Sequence, residues 1–231
     1  MRLTLKIWRQ DDAKAAGGLE SHEVDEVDPG MTVLDVLDKV NAGLRGRGAR
    51  EIAFSQQCRK GSCGLCALVI NGDPHGPTPG KAACQVQMRA FDNGSTLVIE
   101  PWRAGPFPPV RDLIVDRGAL GRVLEAGRVP STAASAAAAS AGFCIECGAC
   151  VAACKNASAS LFVGAKLAEH ASRPEPRRRV LSMVARMDAE GFGSCSDDGA
   201  CEAACPKGVS VGAIAALNRA FLSAALLGPE P

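Results

Sequence analysis

The chain has 231 residues, of which 47% are hydrophobic and 22% charged, and its formal net charge is +1. That length accommodates two ordinary domains, and the near-zero charge supplies no bulk field for nucleic acid or an anionic membrane surface. Its 11 cysteines are odd in number and tightly clustered, which excludes complete disulfide pairing.

The opening residues MRLTLKIWRQDD lack the apolar region of a secretory signal, so a reducing compartment is expected, where clustered cysteines bind metal. Leu3, Leu5 and Ile7 alternate with polar residues as in a half-buried strand, and 22–27 pairs back after a turn at Gly17-Gly18. Thr32 and Asp35 form a capping-box pattern ahead of Val33, Leu34, Leu37 and Val40 at helical spacing, with Gly46 and Gly48 ending the helix. Strands are expected at 52–54, 67–70 and 96–100. The Pro-rich stretch 101–109 reads as a linker.

Beyond it the pattern turns helical. Leu113, Ile114, Leu120, Val123 and Leu124 make one apolar stripe; 131–141 is a low-complexity connection; helices are expected at 161–170, 180–189 and 209–227. Asn218 and Arg219 interrupt the last of these, so no stretch reaches the roughly 18 apolar residues of a membrane span. Arg177-Arg178-Arg179 reads as a solvated helix start, with a docking patch as the alternative. The expected fold is α+β. An N-terminal α+β domain over 1–104 precedes a mostly α domain over 105–231.

Cys58, Cys63 and Cys66 are spaced C-x4-C-x2-C, and Cys84 follows at a distance, the plant-type [2Fe–2S] pattern. Iron in such a cluster takes soft thiolates in a tetrahedron, and Gly61 and Gly64 let the loop wrap closely. The alternative, zinc, usually uses paired C-x2-C units or histidines. His75, in the turn that follows, is not needed as a Rieske-type ligand because four cysteines suffice. Arg59 and Lys60 either tune the cluster, dock a partner or are simply solvated.

Cys144, Cys147, Cys150 and Cys154 follow the bacterial C-x2-C-x2-C-x3-C run. Cys195, Asp198, Cys201 and Cys205 repeat it, with Asp198 in the second ligand slot. In such runs the fourth cysteine ligates the other cluster. Cys144, Cys147, Cys150 and Cys205 are therefore assigned to a [4Fe–4S] cluster, and Cys154, Cys195 and Cys201 to a [3Fe–4S] cluster. Every cysteine then has a place. Asp198 is either a non-ligand or the ligand of a fourth iron, and iron content separates the readings, about nine against about ten atoms per chain.

The segments CRKGSCGLC with Cys84, CIECGACVAAC and CSDDGACEAACPKG resemble the iron–sulfur subunit of succinate dehydrogenase and fumarate reductase. HGPTPGKAACQ, VIEPWRAGPFPPVRDL and RMDAEGFGSC resemble the branch anchored by a single di-haem cytochrome b subunit. The resemblance implies a β-grasp domain followed by an α-helical ferredoxin domain. It implies partners too: a flavoprotein subunit with covalent FAD that oxidises succinate, and a membrane anchor carrying haem b that delivers electrons to quinone. The chain would relay electrons from [2Fe–2S] through [4Fe–4S] to [3Fe–4S] on the cytoplasmic face of a bacterial inner membrane. It would perform no chemistry on substrate itself.

Three departures from the family stand out. Lys155 follows Cys154 where proline is common. Residues 156–160 and Ser196 replace a tryptophan and a histidine that help line a quinone pocket in well-known members, and Asp198 replaces an uncharged residue. The rival readings are a fumarate reductase subunit, an autonomous soluble multi-cluster ferredoxin and a zinc-loaded structural module.

Overall fold

In a computed structural model, the described residues are 1–128, 144–169, 171 and 175–229. The connection expected at 131–141 and the helix end at His170 lie outside them. The chain divides into two compact units, Met1–Asp116 and Arg117–Pro231.

The first unit is built on a five-stranded mixed sheet. Strands β1 (Leu3–Arg9) and β2 (Gly18–Val24) pair antiparallel. Strand β5 (Thr96–Pro101) runs parallel to β1, and β3 (Leu68–Ile70) and β4 (Asp73–Pro74) complete the order β2-β1-β5-β3-β4. Alternation decides the face: Leu3, Leu5 and Ile7 are fully buried, in one core with Leu34 and Leu37 of helix α1 (Val33–Gly46). Each such side chain contributes about 1.5–3 kcal/mol by leaving water. The capping box forms as expected. Asp35 N–H donates to Thr32 Oγ1 at 3.3 Å and Thr32 N–H donates to Asp35 Oδ2 at 2.8 Å, a device worth about 1 kcal/mol.

Three local expectations fail in this unit. Residues 52–54 form no strand: Asn41 bonds both the N–H and the C=O of Ile52, and Asp112 takes the N–H of Ala53, so side chains replace the ladder. The 101–109 stretch is no free linker, since Trp102 and Phe107 are fully buried. Leu113 and Ile114 do not continue the helical stripe. They belong to a ribbon of β6 (Pro109–Arg111) and β7 (Ile114–Val115), with Asp112 at φ 45° in its turn. The Asp112 N–H donates to Gln10 O and the Leu113 N–H to Ala53 O, which moves the division of the chain from 104/105 to 116/117.

The second unit is helical: α2 (Gly118–Ala126), α3 (Ala149–Ala153), α4 (Ser160–Glu169), α5 (Pro176–Ala189), α6 (Ala200–Ala203) and α7 (Gly212–Leu227). Helices α4 and α5 pack on α7, α2 on α5, and α3 on α6. Gly164 makes the α4–α7 approach possible, because a Cβ there would stand 2.4 Å from Ala213 O. Arg179 corrects the reading of a solvated basic run: it is buried and its Nε donates to Gly127 O at 3.1 Å. Among the described residues, no helix is long and apolar enough to cross a membrane.

Candidate metal centres

The first unit gathers four thiols. Cys58, Cys63 and Cys66 lie on the loop entering β3, and Cys84 on a 3-10 turn at Ala83–Gln85. Cys66 and Cys84 are buried and share a hydrogen bond, which pushes the Cys66 thiol up and the Cys84 thiol down. Cys58 is lowered to about 5, first by the Ser62 hydroxyl and then by the Lys60 N–H, 3.4 Å from its sulfur. Such N–H groups would spread the charge of a bound cluster. Gly61 has φ 66°, and a Cβ there would meet Gln85 Oε1 at 2.1 Å, so glycine lets the loop close against the Cys84 turn without displacing the Gln85 side chain.

Arg59 is not merely solvated: it pairs with Asp35 at 2.8 Å and Asp38 at 2.5 Å, fastening the cysteine loop to α1. His75 is fully buried, lies edge-on to Trp102, and its Nδ1 accepts the N–H of Ala83, so it braces the turn that carries Cys84.

In the second unit the two cysteine runs interleave. Cys144, Cys147, Cys150 and Cys205 line one cavity with about 360 Å³ of open space. Cys154, Cys195 and Cys201, with Asp198, line another of about 320 Å³, and Leu161 borders both. Each short helix divides its cysteines: α3 turns Cys150 to the first cavity and ends at Cys154 in the second, while α6 turns Cys201 to the second and is followed by Cys205 in the first. Four residues along a helix rise about 6 Å, which is how one run reaches two neighbouring sites.

The donor sets fit clusters. Burial pushes Cys144 up to about 11, Cys147 to about 12 and Cys150 well above the ordinary thiol value. A buried thiolate needs a cation, and iron held by four thiolates supplies it. Cys201 is likewise raised by burial.

The sequence reading missed the cations around the first cavity. Lys166, buried on α4, donates to Cys144 O, Glu169 Oε2 and Glu146 Oε1, each at 2.9 Å. Glu169 in turn accepts the Cys144 N–H at 2.5 Å. Burial alone lowers Lys166, but Glu169 and Glu146 outweigh it and hold the ammonium charged. Arg117 donates to Glu146 O and Cys147 O at 3.0 Å. The signal was a lysine inside the apolar helical run LFVGAKLA.

Around the second cavity, Gly193 closes the gap between loops: a Cβ there would meet Asn156 O at 2.1 Å, and Asn156 Nδ2 donates to Ser194 O at 3.2 Å. The loops that carry Cys154 and Cys195 are thereby joined. Asp198 accepts Ala200 N–H and the Ser196 hydroxyl, both at 3.2 Å, and lies 3.7 Å from Lys155 Nζ. The Ala200 N–H, the Ser196 hydroxyl and then the Lys155 charge outweigh desolvation and hold this carboxyl below its ordinary value.

A family described as a 2Fe-2S iron-sulfur cluster binding domain matches residues 4–122, and a 4Fe-4S dicluster domain matches 140–209. These define the class, a two-domain iron–sulfur protein. The Bacillus subtilis succinate dehydrogenase iron-sulfur subunit is 27% identical, over 92% of this chain and 90% of that protein. The Wolinella succinogenes fumarate reductase iron-sulfur subunit is 28% identical, over 96% and 98%. Among solved structures, a chain of the Mycobacterium smegmatis Sdh1 complex in the apo form shares the fold, with TM-score 0.63 and 21% identity over 96% of each chain. The chain belongs to the iron–sulfur subunit family of succinate dehydrogenase and fumarate reductase.

Proposed function

We propose that the chain is the electron-transfer subunit of a membrane-bound succinate:quinone oxidoreductase. It carries [2Fe–2S] on Cys58, Cys63, Cys66 and Cys84, [4Fe–4S] on Cys144, Cys147, Cys150 and Cys205, and a terminal [3Fe–4S] on Cys154, Cys195 and Cys201. The clusters supply one-electron chemistry through change of iron valence. The protein's own residues hold them in line and set their surroundings. Cys150 in one short helix with Cys154 at its end, and Cys201 in another with Cys205 just beyond it, connect the last two sites. Lys166 and Arg117 fasten the backbone of Cys144, Glu146 and Cys147 at the middle site.

The observation that carries this reading is the division of the second unit's thiols into sets of four and three around two adjacent cavities. In this reading a flavoprotein subunit with FAD delivers electrons, and a cytochrome b anchor with haem takes them to quinone at the cytoplasmic face of the inner membrane. Relatives bear both names, and a fumarate reductase subunit is the alternative reading.

Purification of the native complex tests this. It should contain a flavin-bearing subunit and a membrane cytochrome, and succinate should reduce the clusters. A chain that purifies alone with full clusters, and that no succinate-oxidising partner reduces, defeats the proposal and favours an autonomous ferredoxin.

A further inference from the structure

The two cysteine runs share one backbone course. After Cys144, Glu146 takes φ 60° and Gly148 φ 83° before α3; after Cys195, Asp197 takes φ 53° and Gly199 φ 73° before α6. Asp198 therefore stands in space where Cys147 stands in the first run. The side chains are held alike as well. The Cys147 sulfur accepts the N–H of Ala149, two residues on, and Asp198 Oδ1 accepts the N–H of Ala200, two residues on. The carboxylate also lines the same cavity as Cys154, Cys195 and Cys201.

Resting on the terminal cluster proposed above, we propose that Asp198 is the fourth protein ligand of that site and binds an exchangeable fourth iron. The donor capacity suffices. An ionised carboxylate offers about four lone-pair directions, and the N–H of Ala200 and the hydroxyl of Ser196 use two. Lys155 at 3.7 Å is an ion contact beyond hydrogen-bond length, and its side chain is 79% exposed, so it can swing away. Cys195 and the Asp198 carboxylate reach solvent, which gives iron an approach that the buried Cys147 and Cys150 deny. The neighbours Lys155 and Ser196 are two of the other departures from the family pattern, and both meet Asp198.

The step balances as [3Fe–4S]0 + Fe2+ → [4Fe–4S]2+. The incoming ion bonds to three cluster sulfides and to an Asp198 oxygen; it loses water ligands, and the Lys155–Asp198 contact breaks. No electron moves in this step. The one-electron reduction that precedes it comes from the upstream clusters, or from dithionite in a test. A carboxylate is a harder ligand than thiolate, so this iron exchanges where a fully thiolate-held one does not.

The test uses the native complex, reduced anaerobically with dithionite, given ferrous ion, desalted and reoxidised mildly. Iron content and low-temperature paramagnetic resonance are then read. Wild type should retain about one additional iron per chain and lose its three-iron signal, because [4Fe–4S]2+ is diamagnetic. D198N preserves size and the bond to Ala200 but not the charge. It should keep the three-iron signal and retain no added iron. D198C should hold the iron through desalting, and K155A should take it up at least as well as wild type. A wild-type three-iron signal that does not respond to ferrous ion overturns the proposal, as does uptake by D198N equal to wild type. A chain with only the first two clusters gives a different result, about six irons and no third signal, and removes the terminal site itself.

Discussion

The ammonium of Lys166 lies 2.9 Å from the carbonyl oxygen of Cys144 and 2.9 Å from Glu169 Oε2, while Glu169 also accepts the N–H of Cys144. One buried ion pair thus holds both polar groups of the residue that opens the first ferredoxin-type run. Lys166→Met should strip that hold and leave Glu169 uncompensated. The expected cost is about 3 kcal/mol in unfolding of the loaded chain. The middle cluster should also fall in potential, because a positive charge near it is lost. Potentiometric titration checks it, and an unchanged midpoint would confine Lys166 to a packing role.

Asp112 is fully buried at the turn of the β6–β7 ribbon and takes both arms of Arg50, at 2.7 and 3.0 Å, with the N–H groups of Gln10 and Ala53. Burial on its own would raise its pKa, but these donors outweigh it and the net shift is downward. A depressed folded pKa means stability that is complete above the unfolded value, about 3.9, and is lost as pH falls through the folded value. Asp112→Asn tolerates φ 45° yet breaks the ion pairs. It should cost about 3 kcal/mol at pH 7, with the difference from wild type shrinking below pH ~4. Urea unfolding across that range measures it, and a pH-independent gap would contradict the ionic account.

Gly193→Ala sets a methyl against the backbone oxygen of Asn156, which cannot turn aside as a side chain can. The loops bearing Cys154 and Cys195 must part. A loss of about 2 kcal/mol is expected, with the terminal cluster lost before the other two. Iron analysis with resonance spectra decides the order of loss.

What the sequence disclosed follows from what each signal depends on. Cysteine spacing is local, so which cysteines share a cavity in the second unit could be anticipated from the linear chain, as could the Thr32–Asp35 box. Ile52 and Leu113 could not. The Asn41 side chain takes both backbone groups of Ile52, and the N–H of Leu113 donates to Ala53 O, pairings that hydrophobic periodicity does not encode. Pro-rich composition suggested a linker at 101–109, but Trp102 and Phe107 override it by burial. The left-handed turns at Glu146 and Asp197 were hidden because neither residue is glycine. Their matching geometry adds a backbone match to the spacing that had already put Asp198 in the slot of Cys147.

The interleaving itself is tested most directly by Cys205→Ser, read through cluster-resolved resonance spectra of the purified complex. Cys205 belongs in sequence to the last run, but it lines the cavity of Cys144, Cys147 and Cys150. The account predicts damage to the four-iron cluster with the three-iron signal of the terminal site retained. Loss of the terminal signal with an intact four-iron cluster would contradict it.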